Sequence, residues 1–494
     1  MVGRVEPRES ASTSRKWLAL VVICAAQFMV VLDVSIINVA LPSIQRHLRF
    51  AERNLLWVLN AYTLVFGGFL MLGGRVADRL GRRRVFVTGV VLFSVASLFC
   101  GLATSSGWLV ASRAVQGLGA AIASPAALSI LTVTFDEGRE RNTALSVWGA
   151  IAGAGGAFGV LLGGILTQEV GWSWIFFVNV PIGALVVLAS YLVVAPSRPE
   201  KRVGGFDIPG ALTVTGSLVL LVLALVQSDT WGWSSAKTIG ILVASAVLMV
   251  AFLAFEVRSR RPLVPLSIFG NRSLSGSNVV ALILGASIFS MFYFLSLYLQ
   301  QVLGYSALKT GIGYLSIAGA IIVAASMAEV LVRAVGVRAV LVTGMLFAAG
   351  GLVYFSQIGV HGSYVGTLLP GFILAGVGLG LSFVPVTIGA VSGVAAEDAG
   401  VASGLINTTQ QVGGALGVAV LSTIAVSAIT RFTIANARTA HLTQAALTHG
   451  FSIAFWGGAV LAAVGAVVAL VGLQRLPGRE TSAVAPAELV TQEA

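Results

Sequence analysis

Two opposite charges lie inside stretches that are otherwise apolar, and these residues could carry chemistry. Asp33 belongs to a stretch that runs from Trp17 to about Ala40, and Arg113 belongs to another that begins near Trp108. An ionised side chain in hydrocarbon costs roughly 3 to more than 10 kcal/mol by different estimates, so such residues are functional candidates by default. We therefore expect Asp33 to bind and release a proton, with Arg113 as its partner.

Helix geometry agrees with this pairing. At 1.5 Å per residue, Asp33 lies about 24 Å from Trp17, and Arg113 lies about 8 Å from Trp108. Because the two stretches are predicted to cross in opposite directions, both charges fall in the same half of a bilayer whose hydrocarbon core is about 30 Å thick. Each charge would then offset the burial of the other.

The sequence allows two roles for this pair. In the first, protonation of Asp33 breaks the pair and releases the first helix from the fourth, which links proton entry to a switch between outward-facing and inward-facing states. In the second, the pair is static and only holds the two helices together. An Asp33→Asn variant distinguishes the two roles through its effect on proton flux.

Apolar stretches of this kind recur along the whole chain. Hydrophobic residues make up 57% of the 494 residues and charged residues only 10%, whereas soluble domains carry about 25% charged residues. This composition excludes a water-soluble globular protein. Fourteen stretches are long enough to span a bilayer, and they lie at about 17–40, 55–74, 84–103, 108–134, 143–167, 173–195, 208–228, 237–256, 275–301, 309–332, 339–358, 365–391, 401–427 and 450–473.

The basic residues indicate the orientation of the chain. With both termini in the cytoplasm, the cytoplasmic segments hold roughly three times as many Lys and Arg residues as the external ones, which follows the positive-inside rule. The net charge of +11 is therefore interpreted as basic loops that face anionic lipid, and a nucleic-acid partner is not expected. A multi-pass protein of the bacterial cytoplasmic membrane is predicted.

Charged connections divide the chain into five parts. They predict a cytoplasmic N-terminal tail (1–16), a six-helix bundle (17–195), a linker with two extra transmembrane helices (196–262), a second six-helix bundle (263–475) and a disordered cytoplasmic tail (476–494). The loops after helices 2 and 10 show weak similarity when Gly81 is aligned with Gly336. Two related halves are typical of repeat-built secondary transporters, whose site lies between the halves.

The loop between the second and third stretches carries the most specific motif. Its sequence, GRVADRLGRRR at residues 74–84, combines two glycines with one acid and a run of arginines. This pattern resembles motif A of the major facilitator superfamily. The resemblance implies a cytoplasmic gate formed by Gly74, Asp78, Arg79, Gly81 and Arg82.

Further motifs narrow the resemblance. They are LDVSIINVALP at 32–42, RAVQGLG at 113–119, WSWIFFVNVPIG at 172–183 and SGLINTTQQVGG at 403–414. All four are similar to motifs of the fourteen-helix drug:proton antiporter family, a group of multidrug efflux transporters. The resemblance implies an all-α membrane protein with the major facilitator fold, built from two six-helix bundles and a two-helix insert. It also implies that Arg113 takes part in proton transfer.

The fifth stretch is rich in glycine and resembles motif C of the same family. Small residues four positions apart allow two helices to pack closely. Val160 stands where the family usually has proline, so the kink that proline would give is not expected, and the motif's association with antiport is weakened. The residues predicted to pack against neighbouring helices are Gly155, Gly159, Gly163 and Gly164.

Polar and aromatic side chains within the stretches predict a substrate cavity. Gln27 and Asn38 share a helix face that points away from Asp33, whereas Gln116 shares a face with Arg113. An aromatic, weakly polar lining suits bulky amphipathic organic molecules. The full set of predicted lining residues is Gln27, Asn38, Trp57, Asn60, Tyr62, Gln116, Phe289, Phe292, Tyr293, Asn407 and Gln411.

These features predict proton-coupled export of drugs or other amphipathic compounds by alternating access. The substrate is expected to be a hydrophobic or cationic small molecule, with the proton gradient as energy source and no cofactor or metal. Transport of an endogenous lipid or metabolite is the alternative within the same class. An intramembrane transferase is disfavoured, because such chemistry uses clustered acids that hold a metal, and no loop offers an Asp-rich pair.

Overall fold

The fold is seen in a computed structural model of the full chain. The structure describes residues 13–135, 139–195, 207–259, 262–394, 399–436 and 442–474. Of the predicted tails, 1–16 and 476–494, residues 1–12 and 476–494 lie outside the described residues, and residues 13–16 belong to the first helix. Most of the described residues are helical.

Fourteen long helices are present in the described part of the chain. Thirteen of them are long and apolar enough to cross a membrane, and the remaining one, α5, has 31 residues and is rich in glycine. The all-α membrane fold predicted from the sequence is therefore confirmed. The helices are α1 Thr13–Leu48, α2 Trp57–Leu80, α3 Arg82–Gly101, α4 Ser106–Thr134, α5 Arg139–Glu169, α6 Trp174–Val193, α7 Ile208–Trp231, α8 Ala236–Arg258, α9 Arg272–Val302, α10 Ala307–Val335, α11 Val337–Phe355, α12 Tyr364–Val391, α13 Ala399–Ala435 and α14 Leu442–Gly472.

The helices form two bundles with the same internal packing. In the first bundle, α1–α6, helix α1 contacts α4, α5 and α6, and α4 contacts α2 and α3. In the second bundle, α9–α14, helix α9 contacts α12, α13 and α14, and α12 contacts α10 and α11. The bundles meet where α2 packs on α13 and where α5 packs on α10. This arrangement is that of a repeat-built transporter.

The two-helix insert lies beside one of these seams. Helix α7 packs against both α2 and α13, and α8 packs against α7. Ser217 on α7 and Ser245 on α8 each donate a hydroxyl hydrogen bond of 2.8 Å to the other's backbone carbonyl. These paired bonds hold the two helices of the insert together.

Glycines let helices approach closely at equivalent places in the two bundles. A Cβ added at Gly159 would lie 2.6 Å from the Cβ of Ser35 on α1. In the second bundle, a Cβ added at Gly417 would lie 2.6 Å from the Cβ of Ala286 on α9. Such distances leave no room for a side chain, so α5 and α13 pack backbone-close against α1 and α9 in the same way.

The other predicted glycines of α5 face two different helices. Gly155 and Gly163 lie against α1, where Gly163 approaches the carbonyl oxygen of Ile36. Gly164 lies against Ala307 of α10. Helix α5 is therefore packed closely on both sides, within its own bundle and across the seam.

The aligned glycines at 81 and 336 make the same turn in each half. Gly81 has φ 96° between α2 and α3, and Gly336 has φ 86° between α10 and α11. Each N–H donates to the carbonyl four residues earlier, at Ala77 and Val332 respectively. Glycine adopts this left-handed backbone without the steric cost that a side chain brings, which explains why the weak sequence repeat is visible there.

Candidate functional site

Asp33 and Arg113 form a buried ion pair. Arg113 Nη1 lies 2.5 Å from Asp33 Oδ2, and the two side chains are 1% and 0% exposed. The same guanidinium donates through Nε to the carbonyl oxygen of Val58 at 3.0 Å and through Nη1 to Gln116 Oε1 at 2.7 Å. The contact predicted from helix depth is therefore present.

The second carboxylate oxygen of Asp33 is also fully engaged. Its Oδ1 accepts a hydrogen bond of 2.7 Å from Gln116 Nε2 and one of 3.0 Å from Asn179 Nδ2. Both amides also donate to the hydroxyl of Ser97, which in turn donates to the carbonyl of Phe176. Hydrogen bonds to an ionised acceptor are about twice as strong as neutral ones, so with an ionised Asp33 these bonds hold α1 firmly against α4 and α6.

An aromatic ring covers the cation. The guanidinium carbon of Arg113 lies 4.3 Å from the centre of the Tyr62 ring and 5.8 Å from that of Phe176. A desolvated cation gains about 2 kcal/mol from such a contact. We call Asp33, Tyr62, Ser97, Arg113, Gln116 and Asn179 the Asp33 network; it lies where α1, α2, α3, α4 and α6 meet.

Glycines on α4 bring the parts of this network together. Gly117 lies against the backbone of Tyr62 on α2, and Gly119 lies against Phe93 on α3. Because no side chain separates these helices, Arg113 on α4 is held close to α1 and α2. The sequence RAVQGLG thus supplies both the polar side chains and the close packing that they require.

Ser97 and Asn179 were not predicted as partners of Asp33. Asn179 lies within a family motif, but it is separated from Asp33 by 146 positions, so no local spacing connects them. A usable signal existed, because a buried amide in an apolar helix requires a hydrogen-bond partner.

A small apolar cavity lies between the two bundles. We call it the inner pocket; its volume is about 250 Å³. It is bounded by α1, α5, α9, α10 and α12, and its lining residues are Val34, Ser35, Asn38, Gly156, Val160, Ile288, Phe289, Phe292, Tyr314, Ile317, Ala318, Ile321, Leu379 and Phe383.

A larger and more polar cavity adjoins the inner pocket. We call it the vestibule; its volume is about 660 Å³, and it shares Val34 and Ser35 with the inner pocket. It extends past Gly74 and Arg75 on α2. Its other lining residues are Gln27, Val30, Val31, Phe66, Leu70, Met71, Ser124, Pro125, Leu128, Ser129, Thr132, Trp148, Leu263, Val401, Ser403, Gly404, Asn407, Gln410 and Gln411.

Six of the predicted cavity residues line one of these two spaces. Asn38, Phe289 and Phe292 line the inner pocket. Gln27, Asn407 and Gln411 line the vestibule, where Gln27 Oε1 accepts a hydrogen bond from Ser124. Helix α1 therefore presents the cavity on one face and Asp33 on another.

The other five predictions need correction, because their side chains point elsewhere. Tyr62 and Gln116 belong to the Asp33 network. Asn60 is buried and donates to the carbonyl of Ala415 across the seam. Trp57 packs against the apolar core, and Tyr293 is 1% exposed, beside Phe294 in the second bundle. Sequence alone does not specify the rotation of each helix that decides these positions.

Polar contacts between the bundles close the cavity at the end away from motif A. Gln300 Nε2 donates to the carbonyl of Val39 and Gln301 Nε2 donates to Gln45 Oε1, both at 2.8 Å. By the predicted orientation this end is extracellular, whereas the vestibule reaches Gly74 at the cytoplasmic end. The conformation is therefore inward-facing under that orientation.

The motif A residues lie at the vestibule end of the cavity. Gly74 lines the vestibule, and Gly81 forms the α2–α3 turn. Arg79 and Arg82 are half-buried, and Arg82 lines a separate cleft. The side chain of Asp78 lies outside the described part of the structure, so its predicted role at a gate stays a prediction.

Comparison with known proteins agrees with this architecture. The model of the Major Facilitator Superfamily matches residues 23–418. The chain is 39% identical over 455 residues to the puromycin resistance protein of Streptomyces alboniger, covering 91% of this chain and 90% of that protein. It is 41% identical over 427 residues to the cephamycin export protein of Amycolatopsis lactamdurans, covering 85% and 87%.

Solved structures show the same fold at low sequence identity. A bacterial homologue of the human lysosomal transporter Spinster, in an inward-facing and unoccupied conformation, aligns with a TM-score of 0.67 at 17% identity, covering 93% of this chain and 97% of that one. The POT family transporter PepTSo aligns with a TM-score of 0.68 at 14% identity, covering 92% of this chain and 97% of that one. With its two repeated bundles and a family match over most of its length, the chain is a transporter that belongs to the Major Facilitator Superfamily.

Proposed function

We propose that this protein exports amphipathic organic compounds across the bacterial cytoplasmic membrane in exchange for protons, with both termini in the cytoplasm. The observation that carries the proposal is the position of α1. One face of this helix holds Asp33 in the buried network, and the other face lines both cavities through Val34 and Ser35. A change in the contacts of Asp33 can therefore move the face of α1 that lines the cavities.

The coupling works through the charge of Asp33. While the carboxylate is ionised, it attracts Arg113 and accepts bonds from Gln116 and Asn179, which holds α1 against α4 and α6. Protonation removes that attraction and weakens these bonds, so α1 is freed to move relative to α4. Since α1 also forms a cavity wall, proton binding favours one conformation and substrate binding the other, as coupling between two sites requires.

The names of the relatives support small organic compounds as substrates. One relative is named for puromycin resistance and another for cephamycin export, so we propose drugs or antibiotics as the exported class. The two cavities suit this class, because apolar and aromatic walls adjoin amide and hydroxyl side chains. The sequence predicts hydrophobic or cationic substrates, and of these two kinds such walls favour the hydrophobic ones. The reason is that cation–π contacts supply only about 0.5–2 kcal/mol, whereas removing water from an ion costs several kcal/mol.

Purified Asp33→Asn protein in proteoliposomes tests the proposal. We expect export driven by an imposed pH gradient to be lost, while substrate exchange without a gradient continues, because the carboxamide cannot cycle a proton. Glu256→Gln is the matched control: Glu256 is also a buried acid, but it accepts N–H bonds from Leu263 and Val264, outside the Asp33 network. Gradient-driven export that persists in Asp33→Asn would refute the coupling role.

A further inference from the structure

The segment that joins the two-helix insert to the second bundle lies against the vestibule. We call residues 262–268 the strap; they lie between α8 and α9. The side chain of Leu263 is 3% exposed and lines the vestibule. A connection between two transmembrane helices thus contributes to the wall of a cavity that the two bundles enclose.

The first residues of the strap, PLVP at 262–265, need an acceptor for their backbone. Proline has no N–H and a fixed φ, so within these four residues only Leu263 and Val264 carry a backbone donor. A buried donor requires an acceptor. The carboxylate of Glu256 on α8 accepts from Leu263 at 3.2 Å and from Val264 at 3.3 Å. Both donors of this stretch are therefore satisfied by one buried side chain, which fixes the backbone on either side of the Leu263 side chain.

The strap is also held from the first bundle. Arg75 on α2, which lines the vestibule, donates a hydrogen bond to the carbonyl oxygen of Pro262. Three consecutive residues of the strap, 262–264, thus each bond to a charged side chain, and hydrogen bonds to charged groups are stronger than those between neutral groups. Leu263 is therefore kept in one position beside the cavity.

Apolar contacts connect the strap to both bundles. Ile268 is buried in a small cluster with Leu274 of α9 and Leu405 of α13, and Val264 of the strap packs against this cluster. Met71 of α2 packs against the same cluster and also lines the vestibule. The strap therefore lies where α2 and α13 meet, at the side of the cavity.

The position of Leu263 affects large substrates more than small ones. The inner pocket has a volume of about 250 Å³ and the vestibule one of about 660 Å³, and Leu263 belongs to the lining of the vestibule. A compound that occupies the inner pocket does not reach Leu263. A larger compound extends into the vestibule and contacts the wall to which Leu263 belongs.

We infer that the strap is part of the substrate site and that Leu263 is a specificity-determining residue, which limits the size of the compounds that the vestibule accepts. The inference rests on the proposed function, since it concerns the substrate of the same cavity. It assigns a role in substrate selection to the connection that the two-helix insert makes with the second bundle.

Two neutral fluorescent compounds of different size, N-phenyl-1-naphthylamine and the larger Nile red, test the inference. The KM for export of each is measured in proteoliposomes with an imposed pH gradient, and the readout is the ratio of the two KM values, because a general folding defect changes both. We expect Leu263→Trp to raise KM for Nile red by about tenfold, a loss of one decade in binding, and KM for the smaller compound by less than about twofold. An unchanged ratio would overturn the inference.

Leu266→Trp is the matched control. Leu266 belongs to the same strap, but it is 40% exposed and lies outside the described lining of the vestibule. The same change of side chain at this position should leave the ratio of the two KM values as it is in the unmodified protein.

A smaller substitution carries the test if Leu263→Trp does not fold. The rate at which N-ethylmaleimide labels the thiol of Leu263→Cys is followed by mass spectrometry of the labelled peptide, which separates it from the buried Cys24 and Cys100. Nile red at about ten times its Kd should slow this labelling about tenfold, because bound compound covers the thiol. Labelling of Leu266→Cys should not change. Equal labelling of Leu263→Cys with and without Nile red would overturn the inference.

The possible failures are distinguishable. If the well-folded unmodified protein exports neither compound under the gradient, the proposed function fails and the inference falls with it. If both compounds are exported but Leu263→Trp behaves like Leu266→Trp, the strap does not contact the substrate, and the inference alone is wrong.

Discussion

The two bundles share a scaffold but differ in what they bury. Among the described residues of α1–α6, an ion pair lies buried between Asp33 and Arg113. Among those of α9–α14, the buried polar side chains are hydroxyls and one amide, that of Asn278, and none is charged. The helix contacts and the glycine approaches are nevertheless repeated from one bundle to the other.

The two bundles therefore share their helix packing but not their buried charges. Close packing of α1 on α5 and of α9 on α13 follows from glycines that both halves retain. The ionic network occurs in the first half, whereas the second half contributes Phe289, Phe292 and Tyr314 to the inner pocket. One bundle thus holds the group proposed to respond to protons, and the other supplies most of the aromatic surface proposed to meet the substrate.

Arg113→Gln is expected to have the largest effect. It leaves the Asp33 carboxylate buried without its cation, and removing one partner of a buried ion pair costs about 3–5 kcal/mol. The midpoint of thermal unfolding in detergent should fall clearly, and gradient-driven export should be lost. The double variant Asp33→Asn/Arg113→Gln should recover most of the stability without recovering coupling.

Ser287→Ala provides the comparison in the second bundle. Ser287 is buried on α9 and donates a long hydroxyl bond to the carbonyl of Gly458, so its loss should cost about 1 kcal/mol or less and leave coupling intact. For the ion pair itself, the contradicting outcome is that Asp33→Asn/Arg113→Gln is as unstable as Arg113→Gln alone. The buried charge would then not be the source of the instability.

Leucine at the packing glycines should have a smaller effect that is similar in both bundles. Gly159→Leu and Gly417→Leu each push a side chain into a neighbouring helix, and overpacking typically costs about 1–3 kcal/mol. Gly319→Leu is the control, because a Cβ there meets nothing within 4 Å. Thermal unfolding of the three variants checks this; a clear difference between Gly159→Leu and Gly417→Leu would show that the bundles are not packed equivalently.

Phe292→Ala should weaken substrate binding without altering the proton response. Phe292 lines the inner pocket and lies 5.3 Å from the ring of Tyr314, so its loss should raise KM for a neutral amphiphile by about tenfold. The pH dependence of export should not change, because the Asp33 network is untouched. Tyr293→Phe, at the next and buried position, is the control; equal effects from both variants would contradict the assignment of the pocket.

Gln300→Leu, at the contact between the two bundles, should have the smallest effect of these variants. It removes the hydrogen bond to Val39, and a net loss of about 1 kcal/mol shifts a two-state equilibrium roughly fivefold. We expect a shift towards the outward-facing state, measured as faster labelling of a cysteine introduced on the extracellular side of the cavity. Gln357→Leu, at an exposed site between α11 and α12, should not change the labelling rate.

The sequence predicted the helices, the repeat and the depth of the ion pair. Hydropathy and helix rise can be read from one segment at a time. The depth of Asp33 and that of Arg113 in the bilayer could therefore each be predicted, and found equal, without knowing any contact between helices. The alignment of Gly81 with Gly336 marked equivalent loops, because a left-handed backbone restricts the residue type at a single position.

The tertiary structure alone decided which side chains face each other. Tyr62 was expected in the cavity but covers Arg113, and Asn179 binds Asp33 from 146 positions away. Helix rotation depends on how several neighbours pack at once, through close approaches such as that of Gly117 to Tyr62. A linear pattern therefore shows that a polar residue is buried, and only the packed bundle shows what it binds.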